Sequence, residues 1–139
     1  RDRGGDGNYN STRQLVGYPI IDLKKMGIGI KSYVQNIESL LIGTLQDYNI
    51  DAQTKEKRPG VWVENKKIGS IGIRVSHGVT THGFSLNVNT DMTYFSNIIS
   101  CGIDNVLMTS MEKELGTNFF MNDIKQSIIL HFNQLFKAQ

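Results

Sequence analysis

Apolar residues at Val34, Ile37, Leu41, Leu45 and Tyr48 recur every three to four positions, the spacing of one helix face. Ser32 and Gln35 stand at capping-box spacing, so a helix is predicted to open at "SYVQ". A second stripe, Ile124, Ile128, Ile129, Phe132 and Phe136, predicts a closing helix over about 122–136. Between them the period changes. "VWVEN" (61–65), "KIGSIGIRVS" (67–76) and "VTTHGFSLNVN" (79–89) are rich in β-branched residues and read as three strands. Asn65-Lys66 is the expected tight turn between the first two, and His77-Gly78 precedes the third. Gly69, Gly72 and Gly83 interrupt these strands and mark places where something approaches the backbone closely. "QLVGYPIIDL" (14–23) reads as a buried strand, "KKMGIGIK" as a turn, and the polar 51–60 as a surface connection. Residues 1–13 read as a loop. Short helices are expected at 93–98 and at 109–116, the latter with Thr109 and Glu112 as a capping box and Gly116 as its stop. Strands mixed with helices at these lengths give an α/β (α+β) domain, with a mixed or antiparallel sheet.

Length and charge narrow this picture. The 139 residues suit one domain. Fifteen Lys and Arg stand against thirteen Asp and Glu, a net charge of +2. The basic residues are dispersed, which argues against nucleic acid as a partner. No apolar run reaches the roughly 18–20 residues of a membrane span. No leader sequence is read at the start, and "RDRGGDGNYN" reads as the middle of a protein. One cysteine suits a reducing compartment.

That cysteine, Cys101 in "SNIISCGIDN", raises the chemistry. A lone Cys is more often a small buried hydrophobe. A thiolate nucleophile is the other reading, favoured by the adjacent Gly102 and by a position between elements. A free thiol with a pKa near about 8.5 needs a cation beside it to ionise at neutral pH. His77, His82, Lys66 and Lys67 are the candidates. The two lysines are adjacent on a strand, so their side chains point to opposite faces, and at most one enters an internal site. His131 reads as structural. His77 and His82 share no face and no carboxylate cluster accompanies them, so no metal site is expected. "RGGDGN" lacks the Gly-Lys-Ser/Thr ending of a phosphate loop.

Taken together, "RGGD…Y…QLVGYPI", "GVWV…KIGSIGIRV", "THGFSLNV" and "F..I..CGI….TS" resemble the lipoyl(octanoyl) transferase family, in register from Arg3 to about Leu115. The resemblance implies the fold of biotin and lipoate protein ligase catalytic domains, a mixed sheet flanked by helices. It implies an octanoyl group taken from acyl carrier protein, held as a thioester on the enzyme, and delivered to a lysine. That lysine belongs to the lipoyl domain of a 2-oxoacid dehydrogenase E2 subunit or to the glycine-cleavage H protein. No cofactor is implied. Carried over by position, the catalytic pair falls on Cys101 and Lys67. His82, which precedes a glycine within a strand, reads from the residues alone as a structural histidine or as a support for that pair in equal measure. The acyl-binding positions fall on Arg3, Gly4, Gly5, Asp6, Gly7, Asn8, Tyr9 and Asn10, on Ser70, Ile71 and Gly72, and on Gly83, Phe84 and Ser85. Val16, Ile71 and Phe84 are expected to line a tunnel for the acyl tail, where each buried CH₂ contributes roughly 0.8 kcal/mol.

Two departures from the family pattern stand out. Asn10-Ser11-Thr12-Arg13 replaces the family's His-Gly-Pro-Gly, beside the implied acyl site. The family's N-terminal portion is also missing, so 1–139 reads as a single catalytic domain without it. Two alternatives therefore accompany the transferase reading. One is an impaired module that binds lipoyl domains or acyl carrier protein. The other is an ATP-dependent lipoate-protein ligase, against which Cys101 argues. The resemblance is compatible with bacterial cytoplasm, mitochondrion or plastid.

Overall fold

The computed structural model describes residues 13–90 and 106–136. Among these, the elements run β1 (Gln14–Gly17), α1 (Leu23–Met26), α2 (Ile30–Gln46), β2 (Gln53–Lys55), β3 (Arg58–Val63), β4 (Lys66–Ser76), β5 (Val79–Asn87), β6 (Leu107–Met108), α3 (Met111–Leu115) and α4 (Met121–Phe136). The strands lie in the order β1-β5-β4-β3-β2, all antiparallel, while β6 pairs with β4 in parallel. The sheet is therefore mixed and flanked by helices, as expected. No helix among the described residues is long and apolar enough to cross a membrane.

The longest hairpin is set by its turn. His77 and Gly78 both have positive φ, 54° and 80°, which matches the twist of a two-residue hairpin. It sets Ser76 opposite Val79 and holds eight pairs in register down to Gly69 opposite Leu86. Where β5 ends, β6 takes up the ladder and pairs with Lys66 and Lys67.

α2 supplies the core. Tyr33, Ile37, Leu40, Leu41 and Leu45 are all fully buried, against Val61, Ile68, Leu86 and Val88 of the sheet and its continuation. Each such aliphatic contributes roughly 1.5–3 kcal/mol on burial. α4 packs on α2 through Ile124, Ile128 and Phe136, the last 5.8 Å from the Tyr33 ring. His131 lies over Gly43, where any side chain would collide with the imidazole, and bonds Asp47 at 2.9 Å.

Several boundaries differ from the sequence reading. The first strand stops at Gly17, because Pro19 has no N–H to continue a ladder. Tyr18 and Ile20 beyond it are exposed. Asp22 then caps α1, accepting from the amides of Lys24 and Lys25, so "KKMGIGIK" is a helical turn before a loop. α2 opens at Ile30 behind Gly29, two residues before the expected cap, and Ser32 is not its N-cap. Its buried stripe contains Ile37, Leu41 and Leu45; Val34 is half-buried and Tyr48 lies past its end. The polar 51–60 is a hairpin: β2 turns through Glu56-Lys57 into β3, with Lys57 at φ 67°. Periodicity missed it because, Pro59 apart, its outward residues are polar. The β3–β4 turn is Glu64-Asn65, since Val63 pairs with Lys66. α3 is capped by Ser110, which accepts from the Lys113 amide, and Gly116 closes it; Thr109 is buried ahead of the cap. Ile129 is exposed, off the apolar stripe of α4. The expected loop at 1–12 and helix at 93–98 lie outside the described residues.

Candidate functional site

Two acyl-binding segments expected from the sequence meet side by side. In the β4–β5 hairpin Ser70 stands opposite Ser85, Ile71 opposite Phe84 and Gly72 opposite Gly83. β1 adds Val16 opposite Ser85 and Gly17 opposite Phe84. Side chains alternate across a strand, so these pairs sort onto two faces. Gly69 faces α2, since a Cβ there would lie 3.4 Å from Leu41 Cδ1. Ile71 and Phe84 share that helix face, and the Phe84 ring covers Gly17. Ser70, Ser85 and Val16 lie on the opposite face, with Gly72 and Gly83. The expected tunnel lining is corrected by this alternation: Phe84 belongs to the core, at 6% exposure, and Val16 lies across the sheet from it.

The glycines on the open face differ. A Cβ on Gly83 would sit 1.8 Å from the Gly17 carbonyl oxygen, because β1 leaves the sheet directly over it. A Cβ on Gly72 would meet nothing within 4 Å. One glycine admits the chain's own backbone, and the other leaves room above the strand.

Lys67 stands on this same open face. Val61 pairs with Gly69 but Trp62 pairs with Lys67, so one step on β3 spans two on β4. This bulge at Ile68 re-aims the side chains next to it. It puts Lys67 beside Trp62, with Nζ 5.9 Å from the ring centroid. Gly60 makes the space: its φ is +113°, and a Cβ there would lie 2.6 Å from Lys67 Cε and 2.8 Å from the Gly69 carbonyl. Lys66 points the other way, into an ion pair with Glu114 at 3.0 Å. The sequence expectation that the two lysines part company is met.

A buried polar frame holds this end of β4. The Thr109 amide donates to the Lys67 carbonyl at 2.9 Å. The Thr109 hydroxyl donates to Glu114 at 2.5 Å, so Glu114 joins Thr109 to Lys66. Asn87 donates to the Thr109 carbonyl at 3.0 Å and accepts from Gln14 at 2.8 Å. The Arg13 carbonyl accepts from the amides of Val88 and Asn89 and from the Thr90 hydroxyl. Thr109 and Asn87 are almost wholly buried, which makes each bond costly to lose. Trp62, Gly60 and Asn87 were not among the site residues singled out from the sequence, and Thr109 was read there only as a helix cap. The one signal available was Trp62, the chain's single tryptophan, two residues from a glycine.

Cys101 and Arg3 to Asn10 lie outside the described residues, as does the side chain of His82. On the backbone His82 pairs with Ile73, on the helix-facing register. His77 occupies the hairpin turn at the end of β4 remote from Lys67, with Ser76 as hydrogen-bond partner. Among the described residues no three His, Cys, Asp or Glu side chains gather as metal ligands would.

Residues 1–133 match the profile of the lipoyl protein ligase A/B catalytic domain. The chain is 44% identical to the octanoyltransferase of Cytophaga hutchinsonii, over 98% of its own length and 58% of that protein's. It is 41% identical to the octanoyltransferase of Alkaliphilus metalliredigens, over 97% of its length and 62% of the relative's. The chain thus spans about three-fifths of these curated relatives. Among solved structures it resembles the biotin protein ligase of Aquifex aeolicus, with a TM-score of 0.71 at 14% identity over 90% of this chain and 53% of that one. It also resembles lipoate-protein ligase A bound with ATP, with a TM-score of 0.64 at 14% identity over 78% of this chain and 47% of that one. At such identities the likeness is one of fold.

Proposed function

The chain belongs to the lipoyl protein ligase A/B catalytic domain family, and from that premise we propose that it carries the catalytic centre of an octanoyltransferase. The donor is octanoyl-acyl carrier protein, and the acceptor is the lysine of a lipoyl domain, on an E2 subunit or the H protein. The observation that carries this reading is the shared open face of Lys67, Ser70, Gly72, Gly83 and Ser85, reached through a bulge and a tryptophan that turn Lys67 away from its ion-paired neighbour.

Two acyl exchanges complete the reaction. The Cys101 thiolate adds to the donor's thioester carbonyl; a new C–S bond forms, the old one breaks, and the donor leaves as a thiolate. Thioester for thioester is nearly isoenergetic, so no ATP is consumed. The acceptor's neutral amine then adds to the Cys101 thioester, an amide forms, and the Cys101 thiolate departs. Lys67 as ammonium favours the thiolate in the first exchange. As free amine it takes the proton shed by the incoming lysine in the second. Backbone N–H groups beside the glycine-containing strands are candidates to steady the oxyanion of each tetrahedral intermediate. The open strand face at Gly72 offers the octanoyl tail a surface.

Mass spectrometry after incubation with octanoyl-acyl carrier protein tests this. The expected result is one octanoyl group on Cys101, none in Cys101→Ser, and passage of that group to a lipoyl domain. Absence of the adduct across about pH 6 to 9 would overturn the reading in favour of a binding module, a role motivated by the altered Asn10–Arg13 stretch. Full activity of Cys101→Ala with ATP and free lipoate would instead identify a ligase.

A further inference from the structure

The hairpin at the sheet's β2 edge carries charges arranged against its own stability. Lys55 of β2 and Arg58 of β3 stand directly opposite each other, and like charges in that position repel. Both converge with Lys67 on one indole. Arg58 Cζ lies 4.8 Å, Lys55 Nζ 5.5 Å and Lys67 Nζ 5.9 Å from the Trp62 ring centroid. The ring quadrupole attracts each cation, but the three also repel one another. Lys57 adds a fourth positive group at the hairpin tip, with Glu56 the one acid beside it. Among the described residues no carboxylate pairs with Lys55 or Arg58; the Glu114 that balances Lys66 is on the other side of β4. A sequence that accepts such a local conflict gains something elsewhere.

We propose that Lys55 and Arg58, ordered by Trp62, form a docking site for a carboxylate of the acceptor protein, one that flanks the lysine about to be acylated. This rests on the transferase reading and names the surface that recognises its second substrate. Reach decides between the two substrates. The sum of the Arg58 and Lys67 distances to the centroid, about 11 Å, is the greatest separation of guanidinium and amine. In an extended segment, residues two apart lie roughly 7 Å from each other on one face. A carboxylate within a few residues of the target lysine therefore reaches Arg58 while the lysine reaches Lys67. The long arm of a pantetheine thioester, when extended, carries its phosphate well past that point. Arg58 on the carboxylate would make a charge-assisted pair, and the surrounding cations would steer an acidic acceptor.

Lys55→Glu is the discriminating variant, because it turns an opposed like-charge pair into a cross-strand ion pair. Its hairpin should become more stable while its site loses charge. The expected result is an unchanged or higher melting temperature, with binding of an apo-lipoyl domain weakened about tenfold in calorimetry at low salt. Replacing the acidic residues that flank the lipoyl-domain lysine by their amides should weaken binding to the original chain by a similar factor, and should add little on top of Lys55→Glu. Octanoyl loading of Cys101 should stay within about twofold. Unchanged lipoyl-domain affinity would overturn the proposal. So would a loss confined to loading, which would assign the cations to the donor's phosphate. Binding is read without turnover, so failure of the transferase reading leaves this test intact: an original chain that binds but never loads separates the two.

Discussion

The Lys66 ammonium lies 3.0 Å from a Glu114 carboxylate oxygen, and Glu114 in turn accepts from the buried Thr109 hydroxyl. Lys66 is thereby a structural tie between β4 and α3, whereas Lys67 faces Trp62. Lys66→Ala should lower stability by about 0.5–1 kcal/mol, the scale of a partly exposed pair, and leave transfer within a few-fold of normal. Lys67→Ala should lower transfer by about 10²-fold or more, as loss of a proton-transfer group does, with little change in melting. Rates and melting curves of both variants check this. Equal losses of activity would mean that the lysines do not divide the work as their faces do.

Two glycines on the open face should respond oppositely. Gly83→Ala drives a methyl group into the Gly17 carbonyl, and overpacking against backbone costs about 1–3 kcal/mol or more. Gly72→Ala meets open space, so its stability should change by no more than about 0.5 kcal/mol. The methyl group would stand on the surface assigned to the acyl tail, so loading with octanoyl should slow while the fold persists. Denaturant melts with single-turnover loading measure both effects.

Asn87 links β1, β5 and the strand beside Lys67. Asn87→Ala leaves the Gln14 amide and the Thr109 carbonyl without their partner in a buried setting. The expected loss is about 1–3 kcal/mol. Amide hydrogen exchange should also rise at Thr109, whose N–H bonds the Lys67 carbonyl. If exchange there is unaltered, the frame around Lys67 does not depend on Asn87.

Asp47 gives the fold an acid-sensitive contact between α2 and α4. Its carboxyl is held below the usual aspartate range by the Ser127 hydroxyl first and the His131 bond next. A carboxyl with a lower pKa in the folded state binds fewer protons there than when unfolded. Its contribution is therefore present above about pH 4 and lost as pH falls through the folded value. Asp47→Asn should be less stable than the original chain at pH 7, and the difference should shrink as pH falls from about 4 through the carboxyl's lowered folded value. Urea melts across that range decide it; a gap that persists in acid would refer the effect to packing.

Local signals in the sequence settled a good part of this protein. Helical spacing located the α2 and α4 stripes because Ile37, Leu41, Ile124 and Ile128 meet a core with a 3.6-residue period. His77-Gly78 was legible only as a break between two strands; that both residues take positive φ and close a two-residue turn came from the structure. The alternation of neighbours on a strand parted Lys66 from Lys67 before any fold was known. The pairing register, by contrast, has no local signal. The β2–β3 hairpin was hidden because Lys55, Glu56, Lys57 and Arg58 are all charged and carry no apolar period. The bulge at Ile68 is a mismatch between two strands, so neither strand alone encodes it. The same mismatch brings Trp62 to Lys67 and makes Gly60 the residue that clears its path. Cross-strand register, set by many pairs at once, decided which side chains share a face; the one-dimensional pattern decided only that each strand has two.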